Sequence, residues 1–204
     1  METVKQAAGF VMAGGESSRM GRDKGLLELG GAPLVLRAAK LAETVTGAPA
    51  TIIGGAAYGS FGLRVVADDL PGSGPLGGIA TAVRVSGTPW SLIVACDLPY
   101  LTPMWLGFLI ARALASKADA VLPMNERGAE PLCAMYNKRG EHAIRDALER
   151  GTRKVTDGLA GVRVEYIERA EWKAFDSEGL LFKNMNSPAD YEEARARFDG
   201  RAKR

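Results

Sequence analysis

The sequence has little of the chemistry on which many catalytic sites depend. Among its 204 residues are one histidine, His142, and two cysteines, Cys96 and Cys133, which lie far apart. A site with two histidine ligands cannot form within one chain, and these cysteines form neither a zinc ribbon nor a thioredoxin-type pair. We expect Cys96 to be a buried apolar residue rather than a nucleophile, because no basic residue adjoins it. Carboxylates, lysines and backbone groups must therefore carry any catalysis.

The sequence also lacks long apolar runs and an excess of one charge. No apolar stretch reaches 18 residues, so no membrane span is predicted, and the short apolar run after Glu2 ends at Gly14, unlike the core of a signal peptide. The 26 Lys and Arg residues against 24 Asp and Glu residues give a net charge of +2, without the basic excess typical of nucleic-acid-binding proteins. We therefore expect a cytoplasmic protein without nucleic-acid or membrane partners.

The residues that are present predict one α/β domain. Short apolar runs that end in Gly, Asp or Pro alternate with longer amphipathic stretches, which is typical of a mostly parallel sheet covered on both faces. We assign residues 1–199 to this domain and residues 200–204 to a frayed tail. The predicted strands are 7–13, 50–53, 63–67, 91–95, 118–122, 162–167 and 180–182. The predicted helices are 33–45, 76–85, 103–115, 140–150 and 188–198.

A glycine-bearing loop with three basic residues, from Gly14 to Lys24, follows the first predicted strand. Glycines let the backbone approach an anion closely, and Arg19 and Lys24 can neutralise its charge. The loop is not a Walker A motif, because five residues separate Gly15 from Gly21 and a glycine follows Lys24. The alternative is a solvated turn. Because open α/β sheets bind ligands at the carboxyl ends of their strands, the position of the loop favours a phosphate site.

A second glycine segment, residues 72–77, has the G-x-G-x-x-G spacing of dinucleotide-binding proteins, and Asp97 follows its last glycine by 20 residues. Four residues, 68–71, nevertheless separate these glycines from the preceding strand, and Pro75 has no N–H group to offer a pyrophosphate. We therefore favour a glycine-rich turn packed closely onto the sheet over a nicotinamide or flavin site.

Asp97 is a candidate metal ligand because it follows an apolar strand and precedes a Leu-Pro turn. A lone carboxylate at a strand end can hold Mg²⁺, which takes one or two protein carboxylates and fills its other positions with water and phosphate oxygens. The alternative is that Asp97 is a turn residue or caps the helix that begins near Pro103.

Taken together, these segments resemble the molybdenum cofactor guanylyltransferases, within the nucleotidyltransferase superfamily. The resemblance covers nearly the whole chain and rests on Met12-Ala13-Gly14-Gly15, Arg19-Met20-Gly21, Asp23-Lys24, the glycine segment 68–78, Cys96-Asp97-Leu98-Pro99, Glu130-Pro131-Leu132 leading to Tyr136, and Asn184-Met185-Asn186-Ser187-Pro188. Gly14 favours the guanylyl branch, because the cytidylyl branch tends to carry alanine there.

The resemblance implies a Rossmann-like, three-layer nucleotidyltransferase domain that takes GTP and Mg²⁺, with molybdopterin or the molybdenum cofactor as acceptor. It implies backbone contacts to the nucleotide from Met12, Ala13, Gly14 and Gly15. It further implies that Lys24 binds the phosphates, that Asp68 contacts GTP and that Asp97 ligates Mg²⁺. Gly54 and Gly55 depart from the family pattern, which has a polar segment with an asparagine there, so we expect no side-chain contact from these positions.

The implied reaction transfers GMP from GTP to the terminal phosphate of the pterin cofactor and releases pyrophosphate. This phosphate is already ionised near neutral pH, so it needs alignment and relief from charge repulsion rather than a general base. We predict Arg19, Lys24 and Asp97 as the catalytic residues. Asn184 and Asn186 precede the last predicted helix, where they either serve the acceptor or the metal or cap the helix. Transient contacts with cofactor-carrier and recipient enzymes are also expected.

Two alternatives stay open. A cytidylyltransferase of the same cofactor, or a sugar-phosphate nucleotidyltransferase, would use the same loop and carboxylate with another base and acceptor. A more remote alternative is a non-catalytic nucleotide-binding or NAD-binding protein on the same scaffold. Nucleotide preference separates the first alternative from the guanylyltransferase, and turnover separates the second.

Overall fold

The computed structural model describes residues 6–14 and 23–202, which form ten strands and seven α-helices. The strands are β1 (Ala7–Ala13), β2 (Glu28–Leu29), β3 (Ala32–Pro33), β4 (Thr51–Gly54), β5 (Arg64–Val66), β6 (Trp90–Ala95), β7 (Ala120–Asn125), β8 (Gly128–Ala129), β9 (Cys133–Asn137) and β10 (Val164–Ile167). The helices are α1 (Leu34–Thr46), α2 (Gly74–Val85), α3 (Pro103–Ala115), α4 (Glu141–Glu149), α5 (Val155–Gly158), α6 (Arg169–Trp172) and α7 (Pro188–Ala202).

Local sequence signals set the limits of several elements. β1 and α3 have the predicted bounds, and α3 begins at Pro103, where a missing N–H group removes no intrahelical hydrogen bond. The Thr102 hydroxyl accepts a hydrogen bond from the backbone N–H of Trp105 at 3.2 Å and so caps this helix. In the C-terminal part of the chain, α7 continues to Ala202, beyond the predicted end at residue 198.

The large sheet is mostly parallel, as predicted, with the strand order β10, β7, β9, β6, β1, β4, β5 and with β8 paired to β7. β1 lies parallel to both β4 and β6, while β9 runs antiparallel between β6 and β7. β9 is not among the predicted strands. Its residues are all buried, so they lack the alternation of apolar and polar residues that marks a half-exposed antiparallel strand.

The strand predicted at residues 180–182 is wrong. The backbone N–H groups of Leu180 and Leu181 both donate to Asp176 Oδ1, at 2.7 and 3.0 Å, and the N–H of Lys183 donates to the carbonyl of Leu180. These bonds make a turn, so the backbone groups do not join a sheet. The apolar character of the segment instead reflects burial, because Phe182 packs edge-on against Trp105 and Trp172.

Helices cover both faces of the sheet and complete the three layers. One apolar cluster lies under α1, α3 and α7, and a second lies under α2, α4 and α5. No helix among the described residues is both long and apolar enough to cross a membrane.

The chain reverses its direction across the sheet at β1. From β1 it passes through α1 to β4 and β5 on one side, and it then returns through α2 to β6 on the other side. The connections after β1 and β6 thus diverge at the carboxyl edge, which opens the crevice where open α/β sheets bind their ligands. Gly14, Asp68 and Asp97 all follow strands that end at this edge.

Candidate active site

Three side chains from distant parts of the sequence meet at the carboxyl end of β6. Asp97 follows that strand, Lys24 lies in a short 3₁₀ turn (Lys24–Leu26) after the first loop, and Asn186 precedes α7. The Lys24 ammonium donates to Asn186 Oδ1 at 2.9 Å and lies 3.6 Å from Asp97 Oδ2. The fold therefore brings two residues predicted as catalytic together with one predicted for the acceptor or metal environment.

Backbone hydrogen bonds hold Asp97 in place. The N–H of Cys96 donates to the carbonyl of Met12 at 3.1 Å, which extends the pairing of β1 and β6 past the end of the strands. The carbonyl of Asp97 accepts a hydrogen bond from the N–H of Met185 at 3.0 Å, and the buried Met185 side chain anchors this segment. Because Thr102 caps α3, the alternative of Asp97 as its cap is wrong.

The first turn of α7 shows that its cap does not come from the asparagine side chains. Asp190 Oδ2 accepts hydrogen bonds from the N–H and hydroxyl groups of Ser187, at 2.9 and 2.7 Å, while Ser187 Oγ accepts from the N–H of Asp190 at 3.2 Å. This reciprocal arrangement is a capping box. The Asn186 amide is therefore free to bind Lys24, whereas Asn184 is half-buried in the same segment.

Burial governs the electrostatics of the site. The Asp97 side chain is 20 % exposed and that of Lys24 is 21 % exposed. Burial raises the pKa of the Asp97 carboxyl, although the ammonium of Lys24 beside it acts in the opposite direction. Burial likewise raises the pKa of the Cys96 thiol to about 12, so this cysteine stays a neutral apolar residue at physiological pH, as expected.

Glycines stand at the carboxyl ends of β1 and β4, beside this cluster. A β-carbon at Gly54 would lie 1.5 Å from the carbonyl oxygen of Ala13, so β4 requires glycine there to pair closely with β1. Gly14 has φ of 155°, which side-chain-bearing residues rarely adopt. The departure from the family pattern at Gly54 therefore has a steric reason, the close approach of β1. At Gly14 the backbone is exposed and can contact a ligand.

Asp68 lies on a neighbouring loop, apart from the cluster of Lys24, Asp97 and Asn186. Its Oδ1 atom accepts hydrogen bonds from the N–H of Leu70 at 3.0 Å and from the Thr81 hydroxyl at 3.2 Å, which shape the turn before α2. A β-carbon at Gly77 would lie 3.1 Å from the Asp68 carboxylate. Gly77 thus packs α2 closely against its loop, whereas a β-carbon at Gly72 would meet no atom within 4 Å and one at Gly74 would meet only the Arg153 carbonyl oxygen, at 3.8 Å. The predicted close packing of this segment onto the sheet is not seen at these three glycines.

Glu130 is a second carboxyl group near Asp97 whose position the residue pattern did not reveal. Burial raises the pKa of Glu130, and the negative charge of Asp97 also raises this pKa. The Asn125 amide donates a hydrogen bond to Glu130 Oε1 at 2.5 Å, which acts in the opposite direction. The sequence signal for Glu130 is the Glu130-Pro131-Leu132 segment, which is part of the family resemblance but to which the resemblance assigns no role.

Two predicted site residues, Gly15 and Arg19, lie outside the described residues.

His142 lies on the exposed face of α4 with 89 % of its side chain accessible, and it pairs with Asp146 at 3.5 Å. It therefore belongs to the surface of α4 and not to the cluster around Asp97.

The oxygen atoms of the site suit a hard divalent cation. The Asp97 carboxylate and the Asn186 amide oxygen both lie near one cationic group, the Lys24 ammonium. Across the described parts of the chain, no three or more His, Cys, Asp or Glu side chains form a metal-binding group. A metal at Asp97 would thus take few protein ligands and draw the others from water and phosphate, which is the usual pattern for Mg²⁺.

The chain is similar to known proteins over most of its length. The family model described as the MobA-like NTP transferase domain matches residues 9–164. A probable molybdenum cofactor guanylyltransferase of Pelotomaculum thermopropionicum is 35 % identical over 192 residues, which cover 93 % of this chain and 92 % of that protein. One of Natronomonas pharaonis with the same description is 32 % identical over 206 residues, covering 95 % of this chain and 98 % of that one.

The fold is also similar to a solved structure. The crystal structure of molybdopterin-guanine dinucleotide biosynthesis protein A from Archaeoglobus fulgidus superposes with a TM-score of 0.81 at 24 % identity, over 95 % of this chain and 99 % of that one. This similarity supports the three-layer α/β architecture with its mostly parallel sheet.

Proposed function

Because the chain belongs to the MobA-like NTP transferase family, we propose that it transfers GMP from GTP to the terminal phosphate of molybdopterin or the molybdenum cofactor. The observation that carries this proposal is the meeting of Lys24, Asp97 and Asn186 at the carboxyl edge of β6. Together these groups offer an ammonium for phosphate and two oxygen donors for a cation, at the place where such folds bind nucleotides.

Each part of the site has a proposed role. The backbone of Met12, Ala13, Gly14 and Gly15 contacts the nucleotide, and Arg19 neutralises charge that develops toward the leaving pyrophosphate. Lys24 binds the phosphates, and Asp68 contacts GTP from the loop before α2. Asp97 holds Mg²⁺ with Asn186 beside it, and this ion supplies neutralisation of phosphate charge when it is bound.

In the proposed reaction an oxygen of the acceptor phosphate attacks the α-phosphorus of GTP. A new P–O bond forms, the bond between the α-phosphorus and its bridging oxygen breaks, and pyrophosphate leaves with that oxygen and its electron pair. No proton has to be removed from the ionised acceptor, which fits a site without histidine among its described residues. Lys24 instead stabilises the charge that develops on the leaving pyrophosphate, a type of contribution worth about 10²- to 10³-fold in rate.

One experiment tests the proposal. The purified protein is incubated with Mg²⁺, molybdopterin and each labelled nucleoside triphosphate in turn, and the nucleotide product is identified. We expect a GMP adduct and pyrophosphate from GTP, with weaker binding of CTP in calorimetry, because the absence of a side chain at Gly14 leaves room for a purine. Faster turnover with CTP would indicate the cytidylyl branch, and nucleotide binding without turnover would indicate a non-catalytic protein.

A further inference from the structure

The buried phenol of Tyr58 contacts the short turn that carries Lys24. Tyr58 lies in the 3₁₀ segment Ala56–Phe61 after β4, and the residue is 1 % exposed. Its hydroxyl donates to the Asp23 carboxylate, 2.7 Å from Oδ1 and 2.8 Å from Oδ2. Burial, together with the Asp23 charge, raises the pKa of the phenol above its ordinary value, so the hydroxyl keeps its proton at physiological pH.

The Asp23 carboxylate transmits this contact to the backbone on either side of Lys24. Asp23 Oδ1 also accepts a hydrogen bond from the N–H of Gly25 at 2.9 Å and so caps the turn Lys24–Leu26. Gly25 is buried, and a β-carbon there would lie 2.7 Å from the Tyr58 hydroxyl oxygen. One phenol therefore fixes the residue before Lys24 by a hydrogen bond and the residue after it by close packing.

The side chain of Lys24 leaves this fixed turn toward Asn186 and Asp97. A lysine side chain has four rotatable bonds and little preference for one direction, so the turn that carries it limits where its ammonium can lie. A bonded and closely packed turn is the kind of support that keeps a catalytic group within a fraction of an ångström of its working position.

We propose that Tyr58 is a positioning residue, which acts through Asp23 and Gly25 to hold Lys24 toward Asp97 and Asn186. This inference rests on the proposed function, because it takes Lys24 to bind the phosphates of the nucleotide. Tyr58 itself makes no contact with the reacting groups in this role.

The test is a double-mutant cycle on GMP transfer from GTP. Tyr58→Phe removes one hydroxyl group and should lower kcat/KM for GTP about tenfold when Lys24 is present. In a Lys24→Ala background the same substitution should change kcat/KM less than about twofold, since no ammonium is left to position. A merely structural role of Tyr58 would lower activity by the same factor in both backgrounds.

Two further variants make the comparison sharp. Tyr136→Phe is the matched control, because it also removes a buried tyrosine hydroxyl, which donates to the carbonyl of Pro131 at 2.9 Å, and it should show no coupling to Lys24. Asp23→Ala removes the hydrogen bond between Tyr58 and Asp23 from the side of the exposed carboxylate. This variant tests the Lys24 turn even where Tyr58→Phe lowers the yield of folded protein. Asp23→Ala and Tyr58→Phe should be non-additive.

Each outcome decides a different claim. Wild-type kcat/KM in Tyr58→Phe and Asp23→Ala, or equal losses with and without Lys24, would overturn the positioning role while leaving the proposed function intact. A wild-type protein that transfers no GMP, or a Lys24→Ala variant with unchanged activity, would instead refute the proposed function or the role of Lys24, and the positioning role with it.

Discussion

Asp97→Asn separates the chemistry of the site from the stability of the fold. The amide has nearly the shape of the carboxylate but no negative charge, so it removes the proposed metal ligand and the partner of Lys24. Unit charges 3.6 Å apart attract by about 5 kcal/mol at an effective dielectric constant of about 20. Burial nevertheless raises the pKa of Asp97 with Lys24 beside it, so the folded protein favours the neutral carboxyl group more than water does.

The expected result follows from this balance. The rate of GMP transfer in saturating Mg²⁺ should fall about 10²- to 10³-fold, equivalent to roughly 3 to 4 kcal/mol of barrier. The free energy of unfolding at pH 7 should be unchanged or slightly increased, by up to about 1 kcal/mol, because the raised pKa of Asp97 means that the fold accommodates the uncharged group better than the carboxylate. Initial rates with labelled GTP and urea unfolding of the same preparations measure the two quantities.

The pH dependence of unfolding adds a second check. The pKa of Asp97 is raised in the folded protein above the value of 3.8 that the group has in the unfolded chain. The wild-type protein therefore loses stability as the pH rises from the unfolded pKa through the folded pKa, because Asp97 ionises less readily in the fold. The asparagine variant lacks this loss, and its stability relative to wild type should increase with pH over that window.

Asp119→Asn is the matched control, because hydrogen bonds from Arg163 and Arg139 lower the pKa of Asp119. Its carboxylate stabilises the fold above the unfolded pKa, and this stabilisation is lost as the pH falls through the folded pKa. Removing the charge should destabilise the protein by about 1 kcal/mol at pH 7 with the transfer rate unchanged. A wild-type transfer rate in Asp97→Asn would refute the metal-ligand role.

Five other substitutions test the remaining parts of the site and the strand end beside it. Lys24→Ala should lower the transfer rate at least about 10²-fold, and Arg19→Ala should lower it less. Equal rates in wild type and Lys24→Ala would exclude a role of Lys24 in phosphate binding. Asn186→Ala should reduce the rate of GMP transfer. Its GTP affinity, measured without acceptor, should stay within about threefold of wild type, and its free energy of unfolding within about 1 kcal/mol. An unchanged transfer rate would remove Asn186 from the site. Gly54→Ala should destabilise the fold by more than about 3 kcal/mol or prevent folding, because its β-carbon would lie 1.5 Å from a backbone oxygen of β1. Gly55→Ala is the control: a β-carbon there has open space around it, so the melting temperature should stay within about 2 °C of wild type.

The sequence alone determined most of the helices and parallel strands. Apolar runs and proline starts act over a few residues, which is why α3 has its predicted bounds and β1 ends at the predicted glycine loop. The same reasoning placed Asp97 after a buried strand. It also placed the glycine loop at the carboxyl end of the first strand, where open α/β sheets bind ligands.

The tertiary structure decided the contacts between residues far apart in sequence. Lys24 and Asn186 are 162 positions apart, and Tyr58 and Asp23 are 35 apart. No periodicity or capping rule reaches across such distances, since these rules describe neighbours within a turn or along a strand. Such contacts depend on strand order and on the packing of α7 and of the 3₁₀ segment Ala56–Phe61 that follows β4. The chain itself therefore indicates which chemical groups are available, and only the fold determines which of them meet.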